Sequence, residues 1–287
     1  MNWKDRCRAA AVEIRTADTI LIGAGAGMGV DSGLPDFRGN EGFWKAYPPF
    51  KKAGISFIDA ANPKNFFSNP RQAWGFYGHR FQLYSSTLPH PGFDVLRNWA
   101  ERKSKGYFVF TSNVDGHFQA AGFDTNKIVE CHGSINHWQC SICCNEKIRK
   151  MSDFDMNIDA STFLADEPIP RCPECTEVAR PNILMFGDSQ WIDTRTNDQV
   201  LRYNQWQREV RPSKMVIIEI GAGTAVPTVR WECETVAQYE NGTLIRINPR
   251  DDNVPQDGIS IKKSALEAIL EIDKYLKLPS PDSISSH

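Results

Sequence analysis

The sequence predicts an α/β protein, a parallel sheet covered on both faces with two modules inserted into the chain. Four near-continuous apolar runs carry the sheet, and each stops at Gly, Asn, Asp or Ser. Such runs suit parallel strands buried on both sides, and their polar ends mark the carboxyl edge where ligands bind. Helical periodicity frames the runs at both ends of the chain. Two segments break the strand–helix rhythm, and one of them holds paired cysteines.

In chain order, "MNWKDRCRAAAVEIRTAD" places Trp3, Cys7, Ala11 and Ile14 at helical spacing, so an amphipathic first helix is expected. Charges interrupt this segment throughout, which argues against a signal peptide. "DTILIGAG" reads as the first strand, with Thr19 to Ile22 as its core. "GYFVFTSNVDG" gives a second strand ending near Thr111. "SKMVIIEIGAGTAVP" gives a third ending near Gly221, and "GTLIRINPR" a fourth ending near Asn248. "SALEAILEIDKYL" is a closing helix in which Ser264 and Glu267 have the spacing of a capping box. The parallel-sheet domain is therefore expected to be discontinuous, over residues 1–44, 89–136 and 181–278. Residues 45–88 are rich in aromatics and prolines and read as helical around "NPRQAWGFYGHRFQLY"; residues 137–180 form the cysteine-bearing module. The polar end, 279–287, is expected to be a disordered tail.

Composition narrows the partners. Of 287 residues 41% are apolar and 24% charged, with a formal net charge of −2. No basic stretch is dense enough to predict a nucleic-acid or membrane surface. No apolar run approaches the ~20 residues needed to span a bilayer. The eight cysteines suit a reducing, cytoplasmic compartment with a metal site better than a secreted disulfide framework. Cys140 and Cys143, and Cys172 and Cys175, form CxxC pairs, and two such knuckles supply four thiolates to a tetrahedral zinc ion. A closed four-sulfur site leaves no position for substrate, so this zinc is expected to be structural. Cys144 competes with Cys143 for the second ligand position, and the CxxC spacing favours Cys143.

The stretch "GAGAGMGVDSGLPDFRGNEGFW", from Gly23 to Trp44, carries alternating glycines but no GxGxxG in either register, since positions 28 and 30 are Met and Val. No acidic residue closes a second strand about 20 residues later, so a hydride-transfer site is disfavoured. What the residues alone leave is a strand followed by glycines whose amides can cradle phosphate, with tight strand–helix packing as the plainer alternative.

"GAGMGVDSGLPDFRG" (Gly25 to Gly39) resembles the signature turn of the sirtuins, NAD-dependent protein deacylases. "TSNVDG" (Thr111 to Gly116) resembles their second motif and "ECHGS" (Glu130 to Ser134) their third, with the paired cysteines, "RPNILMFGD" and "RIN" following in the family's order. The resemblance covers nearly the whole chain. It implies an inverted Rossmann-type domain and a small module of zinc ribbon plus helices, with NAD and an acyl-lysine substrate in the cleft between. It also implies transferase chemistry that releases nicotinamide and O-acyl-ADP-ribose.

Residue by residue, the resemblance gives the NAD pyrophosphate to Gly25, Ala26 and Gly27, and further cofactor contacts to Asp36, Phe37 and Arg38. Phe37 would shield the reactive sugar carbon, and Arg38 would orient phosphates or stabilise the loop. Ser112 and Asn113 fall to the water and ribose network, and Val114 and Asp115 to the nicotinamide amide. Gly221, Gly223 and Asn248 lie on the adenosine side. His132 is the implied general base on a ribose hydroxyl, a task that suits imidazole near neutrality. Phe186 and Gly187 fall in the substrate loop. Tyr77 and Arg80, three apart on one predicted helix, resemble the branch that removes succinyl, malonyl and glutaryl groups.

The chain departs from the family at several points: Ser112 stands for the usual Gln, Met28-Gly29 for Ile-Ser, "GAGTAVP" for the Gly-Thr-Ser motif, and Asp188 for Glu. The competing readings are an ADP-ribosyltransferase or NAD glycohydrolase on the same scaffold, and a non-catalytic NAD or ADP-ribose sensor.

Overall fold

The computed structural model describes residues 2–35, 39–255 and 257–278. Six parallel strands form the main sheet: β1 (Thr19–Ala24), β2 (Tyr107–Thr111), β3 (Ile128–Glu130), β7 (Met215–Ile220), β8 (Thr243–Ile247) and β9 (Ile259–Ile261), in the order β3-β2-β1-β7-β8-β9. A second, antiparallel sheet places β4 (Gly133–Cys140) between β5 (Arg149–Lys150) and β6 (Ala179–Ile183).

Every residue of β1, β2 and β7 is buried, because helices cover both faces. Side chains still alternate along each strand. Ile20, Ile22, Val109 and Val216 pack with Cys7, Ala10 and Ile14 of the first helix and with Phe93, Leu96, Ile269 and Ile272. Leu21, Phe108, Phe110 and Ile217 face the other way, against Tyr203, Val229, Cys233 and Val236. The first helix, Trp3–Thr16, buries the stripe read from the sequence, and Asn2 with Asp5 closes a capping box at its start. At the last helix, Ala265–Lys277, the Ser264 side chain accepts from the Glu267 amide.

The chain runs outward from β1 to β2 and β3, leaves the parallel sheet, and returns on the opposite side of β1 at β7. Connections after β1 and β7 therefore depart in opposite directions, which opens a crevice at the carboxyl edge between these two strands.

The second hydrophobic core belongs to the inserted residues. Phe43, Tyr47, Phe66, Trp74, Phe76 and Tyr77 pack with Trp138, Met151, Phe163, Ala179 and Ile183. Its backbone is the helix Pro70–Ser86, which Asn69 caps through the Gln72 amide. Gly75 permits the closest approach. A Cβ there would collide with the Phe163 carbonyl.

Gly75→Ala should therefore destabilise the protein by about 1–3 kcal/mol, as overpacking does, although Ala ordinarily favours a helix over Gly. Thermal denaturation checks this; a melting temperature at or above the parent's would show that the backbone contact yields freely.

Candidate active site at the carboxyl edge of the parallel sheet

The glycines at the end of β1 and just after it meet different neighbours. A Cβ on Gly23 would strike the Cys233 sulfur, so this glycine seats the helix Thr228–Tyr239. On Gly25 it would lie 2.6 Å from Ala222 Cα, and on Gly29 it would crowd Leu34. Gly221 has φ +63°, and a Cβ there would lie 2.5 Å from Gly27. The turns after β1 and β7 thus press backbone against backbone, locked by Gly25 N–H donating to Ile220 O and Gly27 N–H to Gly221 O. The plainer alternative from the sequence holds: the glycines pack tightly, and in doing so they keep side chains out of the crevice. After Gly25 the chain makes two short 3-10 turns, Ala26–Met28 and Val30–Ser32, in place of a long helix. Asp36, Phe37 and Arg38 lie outside the described residues.

His90 braces this turn from below. Its ring donates to Met28 O at 3.0 Å and accepts from the Gly92 amide at 3.0 Å, which fixes one neutral tautomer, and burial holds its pKa below the usual range.

The loop after β2 closes a second side. Thr111 Oγ1 donates to Ala24 O, the Asn113 amide donates to Thr111 Oγ1, and Asn113 Nδ2 donates to Gly25 O at 3.0 Å. Ser112 donates its backbone N–H to Ala24 O, and Val114 O accepts from Ile135. Asp115 is half-buried, and Oδ1 accepts from the His117 amide at 2.8 Å. Desolvation raises the Asp115 carboxyl above the usual range; His117 and Arg80 pull it down, and Glu130 pushes it up. His117 is buried, and neither ring nitrogen has a hydrogen-bond partner among the described residues. An unmade bond at a buried polar atom costs about 1–3 kcal/mol.

His132 lies in the two-residue step between β3 and β4, where the chain leaves one sheet for the other. Its carbonyl accepts from Leu184, and Gly133 (φ +79°) fits against the Asn182 carbonyl where a Cβ would not. Desolvation lowers the imidazole pKa, opposed by a hydrogen bond to the Ser112 backbone. The ring is thus held mainly neutral near pH 7, ready to accept a proton. Glu130 beneath it is buried and ion-paired with Arg195.

On the far side, Asn248 is buried and spends its amide on backbone: Nδ2 donates to Ala222 O at 2.8 Å, and Oδ1 accepts from Arg250 and Asp251. Arg246 and Glu219, both buried, pair behind it at 2.6 Å, and Arg230 reaches the Asp251 carbonyl. Ala222 through Asp251 is therefore one hydrogen-bonded unit, with Gly223 partly exposed at its rim.

The helix Pro70–Ser86 brings Tyr77 and Arg80 to this region. Both are buried, and the Arg80 guanidinium donates to Tyr84 OH at 3.0 and 3.1 Å and stacks near Phe76, Tyr77 and Tyr84. Phe186 donates its amide to Ala61 O and packs on Phe57; Gly187 has φ +67° with open space around it. The buried Arg180–Asp188 pair holds that loop, so the Asp in place of the family's Glu serves a structural contact.

One ligand assignment changes. The sulfurs of Cys140, Cys144, Cys172 and Cys175 lie within 4.8 Å of one another, whereas Cys143 turns away. Its backbone sits at φ +51°, and its thiol donates to Gln190 O at 2.9 Å. That left-handed residue rotates Cys144 into the cluster, so the spacing is C-x3-C rather than C-x2-C. Four thiolates about a zinc ion with Zn–S near ~2.3 Å would sit about 3.8 Å apart. Separations of 3.5 Å (Cys140–Cys175) and 3.6 Å (Cys144–Cys172) fit that ion. Cys140 ends the strand that Gly133 begins, eight residues beyond His132, which at full strand rise is up to about 26 Å. A metal there organises the module and stands apart from the crevice.

Comparison with known proteins agrees with this architecture. The Sir2 family model matches residues 25–213, and the chain belongs to the Sir2 family. It is 29% identical over 90% of its length to an NAD-dependent protein deacylase of Aquifex aeolicus, covering 95% of that protein. It is 25% identical over 88% of its length to NAD-dependent protein deacylase 1 of Archaeoglobus fulgidus, covering 91% of that one. A solved Sir2 homolog–NAD complex shares the fold at TM-score 0.65 and 22% identity, over 94% of each chain.

The crevice therefore gathers Gly25, Gly27, Asn113, Asp115, His132, Gly221 and Asn248, with Tyr77 and Arg80 on the module side. Sequence reasoning missed His90, Tyr84 and His117, none of which sits in a motif.

Cys144→Ser should lower bound zinc and the melting temperature, while Cys143→Ser keeps close to one zinc per chain. Metal analysis of both purified variants checks the assignment; zinc lost from the Cys143 variant alone would reverse it.

Proposed function

We propose that this chain is an NAD-dependent protein-lysine deacylase that releases nicotinamide and O-acyl-ADP-ribose. The observation that carries the reading is the placing of a mainly neutral His132 and a half-buried Asp115 at one crevice, joined through the loop Ser112–Asp115 to the Gly25 turn. The relatives named as NAD-dependent deacylases support the same reading.

NAD bound there supplies a glycosidic bond to nicotinamide whose cleavage leaves an electrophilic sugar carbon for the acyl oxygen. The residues divide the work. The Gly25–Gly27 turn gives the pyrophosphate room to approach the backbone, because its glycines keep side chains out of the way while their own N–H groups lock the turn to Ile220 and Gly221. Asp115 accepts the carboxamide N–H, with Val114 beside it, and Ser112 and Asn113 hold the ribose side. His132 accepts a proton from a ribose hydroxyl. Gly221, Gly223 and the Asn248 clasp shape the adenosine side. The extended peptide lies along Phe186 and Gly187. The eight free cysteines support a reducing, cytoplasmic setting.

His132→Ala should abolish acyl transfer while NAD binding stays within a few-fold of the parent. Nicotinamide release with and without acyl peptide, alongside calorimetric NAD binding, checks it. Release independent of peptide would point to a glycohydrolase or ADP-ribosyltransferase, and no release to a sensor.

Arg80 supports a preference for acidic acyl groups. Its guanidinium sits among Tyr77, Tyr84 and Phe76 near Asp115, where a fork of donors suits a distal carboxylate. Succinyl- or glutaryl-lysine peptides should turn over faster than acetyl-lysine. Arg80→Met should cost the acidic substrates roughly 30-fold or more, from the ~2 kcal/mol or more that removing one partner of a buried charge pair costs. An unchanged order in the variant would leave the guanidinium no role in the choice.

A further inference from the structure

Two side chains of the cysteine knuckle point away from the metal position. Gln139 precedes Cys140 and Cys143 precedes Cys144, and both turn to the segment that joins β6 to the helix Thr194–Glu209. Gln139 is fully buried; its Oε1 accepts from the Ile192 amide at 2.9 Å, and its Nε2 donates to Gln190 O at 2.7 Å. The Ile192 N–H can only donate and the Gln190 carbonyl only accept, so the side-chain amide has one orientation. A neighbouring parallel strand would engage this same pair of backbone groups, and here one side chain takes both. Cys143 Sγ donates to the same Gln190 O at 2.9 Å. The buried Asn182 of β6 donates from Nδ2 to Gln139 Oε1 at 2.9 Å and to Ile192 O at 2.8 Å. The nearer part of the segment is held as well, since Asp188, paired with Arg180, accepts from the Met185 and Gln190 amides. Between these ties Gly187 stands with open space around it.

We propose that Gln139 and Cys143 are positioning residues for the acyl-lysine peptide, tying the cysteine knuckle to the loop that carries Phe186 and Gly187. The knuckle divides its side chains by direction: Cys140 and Cys144 toward the metal position, Gln139 and Cys143 toward Gln190. The left-handed backbone at Cys143, unfavourable for a residue with a side chain, is what aims two successive thiols to different sides. All the backbone groups held here belong to residues 185–192, and none to the turns after β1 and β7. The device therefore acts on the peptide side of the crevice and not on the cofactor side. A buried polar network of this kind fixes one backbone arrangement, because any member left unpaired would carry its full desolvation cost. A peptide meeting Phe186 and Gly187 then finds its partner backbone already ordered, and less entropy is lost on binding. The inference rests on the proposed seating of the peptide along Phe186 and Gly187.

The test uses the full chain with zinc bound; the probes are succinyl-lysine and acetyl-lysine peptides of one sequence, and ADP-ribose. Gln139→Met keeps the length of the side chain without either hydrogen bond. It should raise the peptide Kd and KM roughly tenfold, while the ADP-ribose Kd, the zinc content and kcat at saturating peptide stay at the parent's values. Should that variant fold poorly, Gln139→Glu keeps the acceptor for Asn182 and Ile192, but its carboxylate cannot donate to Gln190, so the same shift is expected. Cys143→Ser keeps a donor and should bind peptide as the parent does, whereas Cys143→Ala should bind it more weakly. Unchanged peptide affinity in the Gln139 variants overturns the proposal. So does an equal loss of ADP-ribose affinity, which is the mark of general loosening. Peptide titrated into the parent should move the amides of residues 184–188. Movement there with parent-like binding by Gln139→Met defeats the tie alone. No movement there removes the peptide from Phe186 and Gly187, and the tie falls with it.

Discussion

The backbone contact between the turn after β1 and the turn after β7 is the constraint on which the rest of the site depends. Gly25 lies against Ala222, and Gly221 against Gly27, with no side chain between them. This closeness is possible because the strand order reverses direction at that point, so the two connections part and leave a crevice. Side chains here would hold the turns apart or fill the space. Other contacts then anchor to the pair: Asn113 to Gly25, Asn248 to Ala222, His90 to Met28.

The position of His132 follows from the second constraint, the departure of the chain from the parallel sheet. Between β3 and β4 only Cys131 and His132 are free of strand pairing, and each is tied to a different part. Cys131 donates to Thr111 O in the parallel sheet, and His132 O accepts from Leu184 beside the zinc module. A rigid module, fixed by four sulfurs far from the crevice and by the aromatic core around Trp74 and Phe76, therefore sets the position of His132 from one side. The parallel sheet sets it from the other.

Much of this was legible in the sequence, for reasons that differ by element. The central strands β1, β2, β7 and β8 are buried on both faces, so their apolar runs are unbroken and read directly. Edge strands β3 and β9 have three residues each, too few to show a run. Family motifs brought out Asn113, Asp115 and His132, which lie on the segments that follow β2 and β3 at the carboxyl edge of the sheet. The second zinc ligand was misassigned because pair spacing says nothing of the left-handed backbone at Cys143 that turns its thiol to Gln190. His90 and His117 were illegible because their meaning comes from Met28, Gly92, Phe93 and Asp115, partners brought up by folding.

The most direct measurement is amide chemical-shift mapping of the full chain on addition of ADP-ribose. The largest changes should fall at residues 25–28, 112–116 and 221–225, with a second tier at 248–251 through the Asn248 clasp. The amides around Cys140 and Cys172 should stay nearly fixed. Largest changes in the zinc module, or none at the two glycine turns under saturating ligand, would contradict the account.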